Sequence, residues 1–443
     1  MIKMNEIKSM TMMERRKIKF LQLIFVDING VPKGMEVPIE RYEEAISDGI
    51  SFDGSSIPGF QGIEDSDLIF KADPSTYAEI PWEGVARVYG FIYKDDKPYH
   101  ADPRGILKSV SDELAKEGLK VYIGPEPEFY LFRKNGTWEL QLPDVGGYFD
   151  IINLDKAKDV KREIALYMPY FGLTPEVLHH EVGAGQHEID FRFSDALGTA
   201  DNIISFKYVV KAVAESHGLY ATFMPKPIYG MPGNGMHLHI SLWKDEENLF
   251  VGEDGLSETA LYFIGGILKH AKALAALTNP TVNSYKRLVP GYEAPVYVSW
   301  GYRNRSALIR VPAYKGKGAR IEYRCPDPSA NPYLAFAAII EAGLDGIKHK
   351  IEPFAYVEEN VYEMDREKRI ETGIETLPSS LKEALDELEK DKIVRKALGK
   401  AYRNFKEYKE REWGEYIEYL KKRNIPLETK EVTEWELERY FYV

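Results

Sequence analysis

An apolar segment that carries two acidic residues near its centre most constrains what this chain can fold into. The segment covers residues 121–132, VYIGPEPEFYLF. Its β-branched and aromatic residues predict a buried strand, and successive side chains of a strand point to opposite faces. Glu126 and Glu128 therefore share one face, while Phe129 and Leu131 point into the core. Unless both acids simply lie at an exposed strand end, they repel each other and require a shared proton or a cation.

Polar side chains recur on one face of further predicted strands, each of which has an apolar back. These polar faces contain Glu188, Asp190 and Arg192 in QHEIDFRF, His237, His239 and Ser241 in GMHLHISL, and Arg320, Glu322 and Arg324 in ARIEYRC. Glu181 lies near the end of another such strand, EVLHHEV. One strand of this kind is usually half-exposed. Several together predict a polar cleft that holds five glutamates and a histidine.

The predicted cleft carries too much negative charge to form without counter-ions. Crowded carboxylates repel one another unless divalent cations offset them. Oxygen ligands with one imidazole favour Mg²⁺ or Mn²⁺, with two or more ions per site, over structural zinc. The one cysteine, Cys325, excludes an intrachain disulfide framework and a multi-cysteine metal site. Its neighbours Tyr323 and Pro326 indicate a small buried thiol.

A local excess of basic residues predicts an anionic ligand beside the metals. The chain has 58 basic and 70 acidic residues and a net charge of -12, which argues against general binding to nucleic acid or to an anionic membrane. The cations of residues 303–324 are Arg303, Arg305, Arg310, Lys315, Lys317, Arg320 and Arg324. Arginine suits forked contacts with phosphate. Because neither a GxxxxGKS/T loop nor a GxGxxG turn after a strand is present, we expect metals and arginines to hold a nucleoside triphosphate.

Composition and the N-terminal residues predict a soluble, cytoplasmic protein. The chain has no run of about 18 apolar residues of the kind that crosses a membrane. Its first residues, MIKMNEIKSMTMMERRKIKF, lack the apolar core of a signal peptide. A single cysteine fits a reducing compartment.

The order of predicted elements indicates an α+β fold in two domains. Residues 18–37 predict a hairpin that turns at Asn29-Gly30, and FDGSSIPGF, residues 52–60, is expected to be a loop. The segment KPYHADPRG then precedes an amphipathic helix, which places a domain boundary at residue 102. Residues 1–102 form the first predicted domain and residues 103–443 the second. In the second domain, strands and helices lack a regular βαβ rhythm, which favours an antiparallel sheet.

Helical periodicity is strongest in the second domain. The predicted helices cover residues 106–117, 157–167, 201–217, 258–277, 380–390 and 401–422. A last helix begins at Thr433, with Glu436 at the spacing of a capping box. It carries Trp435, Tyr440, Phe441 and Tyr442 near the chain end. So much aromatic surface needs a packing partner, such as another subunit.

Separated motifs along the chain resemble the signatures of type I glutamine synthetase. They are FDGSS at 52–56, EPEF at 126–129, HHEVGAGQHEIDF at 179–191, KPIYGMPGNGMHLHISL at 226–242, NSYKRLVPGYEAP at 283–295 and RIEYRCPDPSANPYL at 320–334. The resemblance implies a small N-terminal β-grasp domain and a large catalytic domain with a curved antiparallel sheet flanked by helices. It also implies a homo-dodecamer of two hexameric rings, with active sites between subunits. The C-terminal helix resembles the family's tail, which inserts into the opposite ring.

The resemblance assigns roles to the polar residues collected above. The residues similar to metal ligands are Glu128, Glu181 and Glu188 for one ion and Glu126, His237 and Glu322 for the other. Those similar to ATP-site residues are Glu176, His239, Ser241, Arg305, Arg310 and Lys317. Those similar to residues that hold the amino-acid substrate are Gly233, Arg287, Glu293, Arg305 and Arg324. Arg305 and Arg324 are also carried over as catalytic residues, and Arg305 matches a position near the transferred phosphate. His179 and His180 are interpreted as structural.

The implied reaction is the ATP-dependent ligation of ammonia to the γ-carboxylate of L-glutamate. ATP phosphorylates the carboxylate, and ammonia displaces phosphate from γ-glutamyl phosphate, which gives L-glutamine, ADP and phosphate. Metals and arginines suit such a reaction because phosphoryl transfer depends on neutralised oxygens. Asp53 resembles the residue, supplied by a neighbouring subunit, that draws a proton from ammonium. Glu293, in the loop PGYEAP, resembles a flap that excludes water from the intermediate.

Departures from the family pattern point to a subgroup and leave alternatives open. The chain has no room for the insertion found in the nucleotidylated subgroup, so we assign it to the shorter subgroup and expect Tyr362 to stay unmodified. Gly62 stands where other members carry an arginine tied to feedback inhibition. Two alternatives remain: a γ-glutamyl ligase that uses an amine in place of ammonia, and a non-catalytic relative that serves as a structural or regulatory assembly.

Overall fold

Two β-sheets organise the chain. The computed structural model describes residues 18–60, 62–82, 84–134, 140–253, 255–292, 294–313 and 316–443. The strands of the first sheet are β1 (Phe20–Val26), β2 (Pro32–Pro38), β3 (Ile50–Asp53), β4 (Asp67–Ala72), β5 (Ala78–Ile80), β6 (Val85–Lys94) and β7 (Lys97–Pro98). The strands of the second sheet are β8 (Leu119–Arg133), β9 (Pro175–His180), β10 (Gln186–Phe191), β11 (Ser194–Asp195), β12 (Leu219–Thr222), β13 (Met236–Lys244), β14 (Glu247–Asn248), β15 (Trp300–Tyr302), β16 (Ile309–Val311) and β17 (Ile321–Tyr323).

The helices are concentrated in the second half of the chain. Within the described residues they are α1 (Tyr42–Ser47), α2 (Pro103–Lys116), α3 (Lys158–Tyr167), α4 (Ala196–Ser216), α5 (Glu258–Thr278), α6 (Ser284–Arg287), α7 (Pro332–His349), α8 (Arg366–Glu371), α9 (Leu381–Lys390), α10 (Lys392–Leu398), α11 (Ala401–Arg423) and α12 (Glu434–Tyr440). Short 3₁₀ turns cover Ile39–Arg41, Ile63–Asp65, Pro74–Thr76, Met168–Phe171 and Gly316–Gly318. The α+β class predicted from the sequence is confirmed.

The first sheet has the order β2-β1-β6-β4-β3, with β5 and β7 also paired to β6. The predicted hairpin is present as β1 and β2, and its turn needs glycine at position 30 for two reasons. Gly30 has φ of 80°, and a side chain there would lie 2.7 Å from the Cα of Asn331. Asn331 donates from Nδ2 to the carbonyl oxygens of Asp27 and Ile28, both at 3.2 Å. The hairpin turn is thereby fixed onto the start of α7.

The second sheet is built around β8, which runs through its centre. Its order is β15-β16-β17-β13-β8-β10-β9. Strands β10, β11, β12 and β13 all pair with β8, and each pairing is antiparallel. The predicted antiparallel sheet is therefore present at the core of this domain, and β15 pairs with β16 in parallel.

Several elements differ from the sequence prediction, which lacks the short helices α6, α8 and α10 as well as the long helix α7. Helix α7 was not predicted because most of its residues are buried, and a helix that is apolar on all sides lacks the polar alternation by which an amphipathic helix is recognised. The predicted loop at 52–60 is wrong in its first residues. Phe52 and Asp53 belong to β3, where they pair with Leu68 and Asp67 of β4. That pairing is distant in sequence, so the glycine- and serine-rich composition concealed it.

Among the described helices, α5 has the length and composition of a membrane span. Yet 78% of its most apolar 18-residue window is buried inside the protein. The core helices of soluble proteins pass the same test, so α5 is weak support for a membrane span.

The C-terminal aromatic residues pack largely against this chain itself. The predicted capping box of α12 is present, formed by Thr433 and Glu436. Tyr440 and Phe441 are buried, and the ring of Phe441 lies 5.7 Å from that of Phe132 in β8. These two rings therefore have packing partners within this chain, Phe132 of β8 for Phe441 and Trp435 of α12 for Tyr440. Tyr442 remains 55% exposed.

A buried ion-pair cluster joins the two parts of the chain. Arg104, near the start of α2, is buried and donates from Nε to Asp201 Oδ1 at 2.9 Å and from Nη2 to Asp201 Oδ2 at 2.8 Å. The same Nη2 donates to Asp73 Oδ2, also at 2.8 Å. Asp73 follows β4 of the first sheet, whereas Asp201 lies in α4. Tyr333 of α7 donates to Asp201 Oδ1 at 2.6 Å, so the guanidinium and both carboxylates are held in a fixed arrangement.

We predict that Arg104→Met lowers the free energy of unfolding by about 3–5 kcal/mol, because a buried carboxylate loses its counter-charge. Chemical denaturation measures this change. Arg41→Met is the control, since it removes an exposed ion pair with Glu44 and should leave the unfolding midpoint unchanged. An Arg104→Met midpoint equal to that of the wild type would contradict the stabilising role of the cluster.

Candidate active site

The register of the second sheet places acids and histidines opposite one another on neighbouring strands. The opposed pairs are His237 with Glu126, Glu128 with Glu188, His239 with Glu322, Glu322 with Arg310, and Glu188 with His179. Directly opposed residues of antiparallel strands share a face, with Cβ atoms about 4.5–5.5 Å apart. The polar faces found separately in the sequence therefore lie side by side on one face of one sheet.

One group of donors on this face fits a divalent cation. Glu126, His237 and Glu322 each offer a donor atom, and these atoms lie within 4.8 Å of one another. His237 Nδ1 is 3.5 Å from Glu126 Oε2 and 3.9 Å from Glu322 Oε1. Two carboxylates and an imidazole suit Mg²⁺ or Mn²⁺. The structure thus brings together one of the predicted ligand sets, whose role in binding metal stays a prediction.

The other predicted set, Glu128, Glu181 and Glu188, is arranged around a histidine. His179 Nε2 lies 3.1 Å from Glu188 Oε1, and His179 Nδ1 lies 3.4 Å from Glu181 Oε1. Glu188 lies opposite Glu128, whose Oε2 accepts hydrogen bonds from Gly235 N at 2.7 Å and Gln186 Nε2 at 3.1 Å. These bonds orient the Glu128 carboxylate.

Sequence reasoning missed two members of this second group. Donor atoms of His179, Glu188 and Asp190 lie within 4.8 Å of one another. A signal for Asp190 was available, since it shares a strand face with Glu188, but the pattern assigned it no role. The structural interpretation of His179 left out its contact with Glu188, which depends on the register of β9 against β10.

Burial and neighbouring charges perturb the acids of this face in opposite directions. Burial, followed by the carboxylates of Asp190 and Glu128, raises the pKa of Glu188 well above its usual range. Burial and the charge of Glu126 raise the pKa of Asp190 to about 7. Burial alone would also raise the pKa of Glu126, but the imidazoles of His239 and His237 hold this pKa well below its usual range. Repulsion is therefore concentrated at Glu188 and Asp190, where a cation would relieve it.

Arginines offset the negative charge of Glu322, on the other side of this sheet face from Glu188. Arg324 and Arg310 both form ion pairs with the buried Glu322. Burial acts to raise the pKa of Glu322, but Arg324 and then His237 outweigh it and lower this pKa. Two predicted phosphate- or substrate-binding arginines thus lie directly at the Glu126–His237–Glu322 group.

Glycines bring two further predicted substrate residues close to the metal-ligand candidates. A carbon added at Gly235 would lie 2.9 Å from both Arg287 Nη2 and His237 Nε2, and 3.4 Å from Glu128 Oε1. A carbon added at Gly233 would lie 2.9 Å from Arg287 Cγ. Arg287 is buried and donates from Nη1 to the carbonyl oxygen of Cys325 at 2.7 Å. Its guanidinium is therefore fixed beside both ligand sets.

Two of the residues predicted to bind ATP lie on β13 next to the same face. Arg320 Nε donates to His239 Nδ1 at 3.0 Å, which leaves the proton of the neutral imidazole on Nε2. His239 Nε2 can then donate to Glu126 Oε1, 2.7 Å away. Ser241 Oγ accepts a hydrogen bond from Trp243 Nε1 at 2.9 Å.

The remaining predicted residues are more exposed or lie elsewhere. Glu176 on β9, Arg305 between β15 and β16, and Lys317 in the Gly316–Gly318 turn are exposed. Asp53 is exposed at the end of β3, in the first sheet, and accepts a hydrogen bond from Ser55 N at 2.8 Å. That backbone hydrogen bond is the main reason that the pKa of Asp53 is lowered. Glu293 lies outside the described residues.

We predict that the metal-free protein loses stability as the pH rises through about 7. Glu188 and Asp190 have raised pKa values in the folded state, so the folded state binds more protons than the unfolded state and its stability falls as these acids ionise. Thermal melts in EDTA across this pH range measure the effect. Added Mn²⁺ should raise the melting temperature more at high pH than at low pH.

Asp190→Asn is the matched variant for this experiment, because it cannot ionise at the perturbed position. It should flatten the pH dependence of the melting temperature in EDTA. Stability that increases steadily with pH in the metal-free wild type would contradict the prediction.

Comparison with known proteins places the chain in a family. Residues 100–440 match the family model described as the glutamine synthetase catalytic domain, and residues 17–95 match the glutamine synthetase β-grasp domain. The expected fold, a β-grasp domain followed by a catalytic domain, is thereby confirmed.

Relatives and solved structures agree over almost the full length. The chain is 79% identical over 428 residues to glutamine synthetase of Pyrococcus horikoshii, with 97% of each chain covered. It is 50% identical over 441 residues to glutamine synthetase of Thermotoga maritima, with 97% of this chain and 98% of the relative covered. A solved GmaS/ADP complex in conformation 1 superposes with a TM-score of 0.86 at 36% identity, covering 96% of this chain and 98% of the other. The chain belongs to the glutamine synthetase family.

Proposed function

We propose that this protein is a glutamine synthetase, which joins ammonia to the γ-carboxylate of L-glutamate through γ-glutamyl phosphate and converts ATP to ADP and phosphate. The observation that carries the proposal is the row of opposed carboxylates and histidines on one face of the second sheet. Membership of the family supports it, as does the name of the relatives that are 76–79% identical over almost the whole chain.

The two donor sets fit two divalent cations, Mg²⁺ or Mn²⁺. Glu126, His237 and Glu322 would hold one ion, and Glu128, Glu181 and Glu188 would hold the other. Bound there, the ions supply positive charge to phosphate oxygens during phosphoryl transfer. Arg310 contributes protein charge at the same place, because it pairs with Glu322.

The glutamate substrate is held on the side of the site formed by Arg287, Gly233 and Arg324. Arg287 and Arg324 are both buried, so their charges act in a medium of low dielectric and attract a carboxylate strongly. Gly233 packs on the aliphatic part of Arg287, and Gly235 of the same loop lies beside its guanidinium. These contacts position the γ-carboxylate for phosphorylation.

Ammonium loses its proton to Asp53 of a neighbouring subunit, and the loop that contains Glu293 closes over the intermediate. Asp53 is exposed, and its hydrogen bond lies within its own loop. Its carboxylate is therefore accessible to the active site of another subunit. An acidic group at this position is required because only unprotonated ammonia attacks the acyl phosphate.

We assign the protein to a homo-oligomer, a dodecamer of two hexameric rings with active sites between subunits. An exposed apolar segment supports an interface next to the site. Within residues 145–154, Val145 is 82%, Ile151 is 70% and Ile152 is 66% exposed. Phe149 of the same segment packs against His179, with ring centroids 4.8 Å apart. Contiguous apolar surface of this kind usually marks a contact with another protein.

Finer assignments rest on the resemblance and on composition. We place the chain in type I, in the shorter subgroup, with domains at residues 1–102 and 103–443. The hydroxyl of Tyr362 donates to the carbonyl oxygen of Ala294 at 2.8 Å, which supports an unmodified tyrosine. The single cysteine favours a cytoplasmic location.

Physical arguments weigh against the two alternatives, a γ-glutamyl ligase that uses an amine and a non-catalytic assembly. A ligase that uses a bulkier amine has less need for an acidic ammonium pocket, whereas FDGSS with Asp53 is intact in this chain. A structural or regulatory assembly has no reason to keep repelling carboxylates buried on one sheet face, since each such group destabilises the fold.

We predict that the purified protein releases phosphate from ATP when Mg²⁺, glutamate and ammonium are all present. Glu126→Gln should lower kcat by about 10²–10³-fold, because it removes one charge from a pre-organised site. Glu79→Gln, on an exposed position of β5, is the control and should keep full activity. Faster turnover with an alkylamine than with ammonium would favour the amine ligase, and a lack of any glutamate-dependent turnover would favour the non-catalytic assembly.

We predict that Asp53→Ala lowers turnover with ammonium by about 10²-fold, as expected for the loss of a proton acceptor, while Mn²⁺ still binds. Co-assembly of Asp53→Ala with Glu126→Gln subunits should restore activity to about a quarter of the wild type, because some shared sites then combine two intact contributions. Loss of Mn²⁺ binding in Asp53→Ala would refute its assigned role. Co-assembled oligomers as inactive as the separate variants would contradict sites shared between subunits.

A further inference from the structure

A buried carboxylate joins the C-terminal helix α12 to the short helix α6. Glu436 of α12 is fully buried. It accepts hydrogen bonds from Asn283 Nδ2 at 3.0 Å and Lys286 Nζ at 2.5 Å. The same carboxylate accepts from Thr433 N at 2.9 Å and Thr433 Oγ1 at 2.8 Å. One side chain therefore closes the start of α12 and fixes that start onto α6.

The hydrogen-bond network continues from α6 to the loop of residues 225–235. Asn283 Oδ1 accepts from Lys226 N at 2.7 Å, and Asn283 Nδ2 donates to the Lys226 carbonyl oxygen at 3.0 Å. Within the loop, Asn234 N donates to the carbonyl oxygen of Pro225 at 2.8 Å. Gln186 Nε2 then bridges Asn234 Oδ1 at 3.2 Å and Glu128 Oε2 at 3.1 Å. Buried bonds thus connect Glu436 with a carboxylate of the active site.

Helix α6 depends on such external contacts for its position. It comprises Ser284–Arg287 and has no side-chain cap at its N-terminus, and a single helical turn is marginal by itself. Burial lowers the pKa of Lys286, whereas the charge of Glu436 acts to raise it, so this ammonium needs its partner. Without Glu436, the acceptor that remains for Lys286 Nζ is the uncharged carbonyl oxygen of Glu431, so we expect Lys286 to shift towards water and the adjacent Arg287 to shift with it.

We propose that Glu436 is a positioning residue for the glutamate side of the active site. By holding Lys286 and Asn283, it sets the place of Arg287 and of the loop that carries Gly233. This inference rests on the proposed function, because Arg287 and Gly233 are assigned to glutamate there. The residues assigned to ATP lie on β9, β13 and β16 and in the loops beside β16, outside this network. A substitution of Glu436 should therefore weaken the binding of glutamate more than the binding of ATP.

The test is steady-state kinetics of full-length Glu436→Gln, with KM for glutamate and KM for ATP measured separately. KM for glutamate should rise about tenfold, since a buried charge pair is broken, while KM for ATP stays within about twofold. Tyr440→Phe is the matched control. It removes a buried hydrogen bond of the same helix, from Tyr440 to Glu412 Oε1 at 2.7 Å, and should leave KM for glutamate unchanged.

Three outcomes overturn the inference. In Glu436→Gln, KM for glutamate is unchanged, or KM for glutamate and KM for ATP rise by the same factor. Alternatively, Tyr440→Phe raises KM for glutamate as much as Glu436→Gln does. If Glu436→Gln does not fold, Glu436→Asp keeps the charge but withdraws the carboxylate by one methylene. It should raise KM for glutamate by a smaller factor, and no rise overturns the inference. A wild type that shows no glutamate-dependent phosphate release overturns the proposed function itself, and the inference with it.

Discussion

Repulsion among carboxylates on one face of the second sheet is the interaction on which the site depends. Backbone pairing fixes Glu126, Glu128 and Glu188 on adjacent strands, so these acids cannot move apart without breaking the sheet. The protein's own polar groups balance only part of the face. Arg324 and Arg310 pair with Glu322, and the imidazoles of His237 and His239 lie against Glu126, whereas Glu188 has mainly other acids as charged neighbours. The need for an external cation is thus a property of the strand register itself.

The apolar back of the same sheet holds that register in place. Phe129, Ile189, Leu238 and Ile321 alternate with the polar residues on four strands, and all are fully buried. A slip of one residue in any pairing would turn acids into the core and these apolar side chains towards the site. The hydrophobic core therefore supplies the energy that keeps repelling groups together, and stability and active-site geometry have the same origin.

The first domain is attached by buried polar contacts as well as by apolar packing. Asn331 binds the turn of the β1–β2 hairpin, and Arg104 bridges Asp73 and Asp201. These contacts are directional, so they fix the orientation of the first sheet against the catalytic domain. The consequence for function is that β3, with Asp53 at its exposed end, is presented to solvent at a defined place. The proposed use of Asp53 by a neighbouring subunit requires such a fixed place.

The sequence by itself determined what local periodicity and chemistry encode. The alternation in residues 121–132 predicted which acids share a face, and the spacing of Thr433 and Glu436 predicted the capping box that is present in α12. The residues proposed as metal ligands were also found this way, because ligation chemistry restricts residue types. Tertiary structure alone decided the contact of His179 with Glu188, the burial of Phe441 on β8 and the existence of the mostly buried α7. The reason is that side-chain alternation is a property of one strand, whereas register, long-range pairing and complete burial depend on residues far apart in the chain.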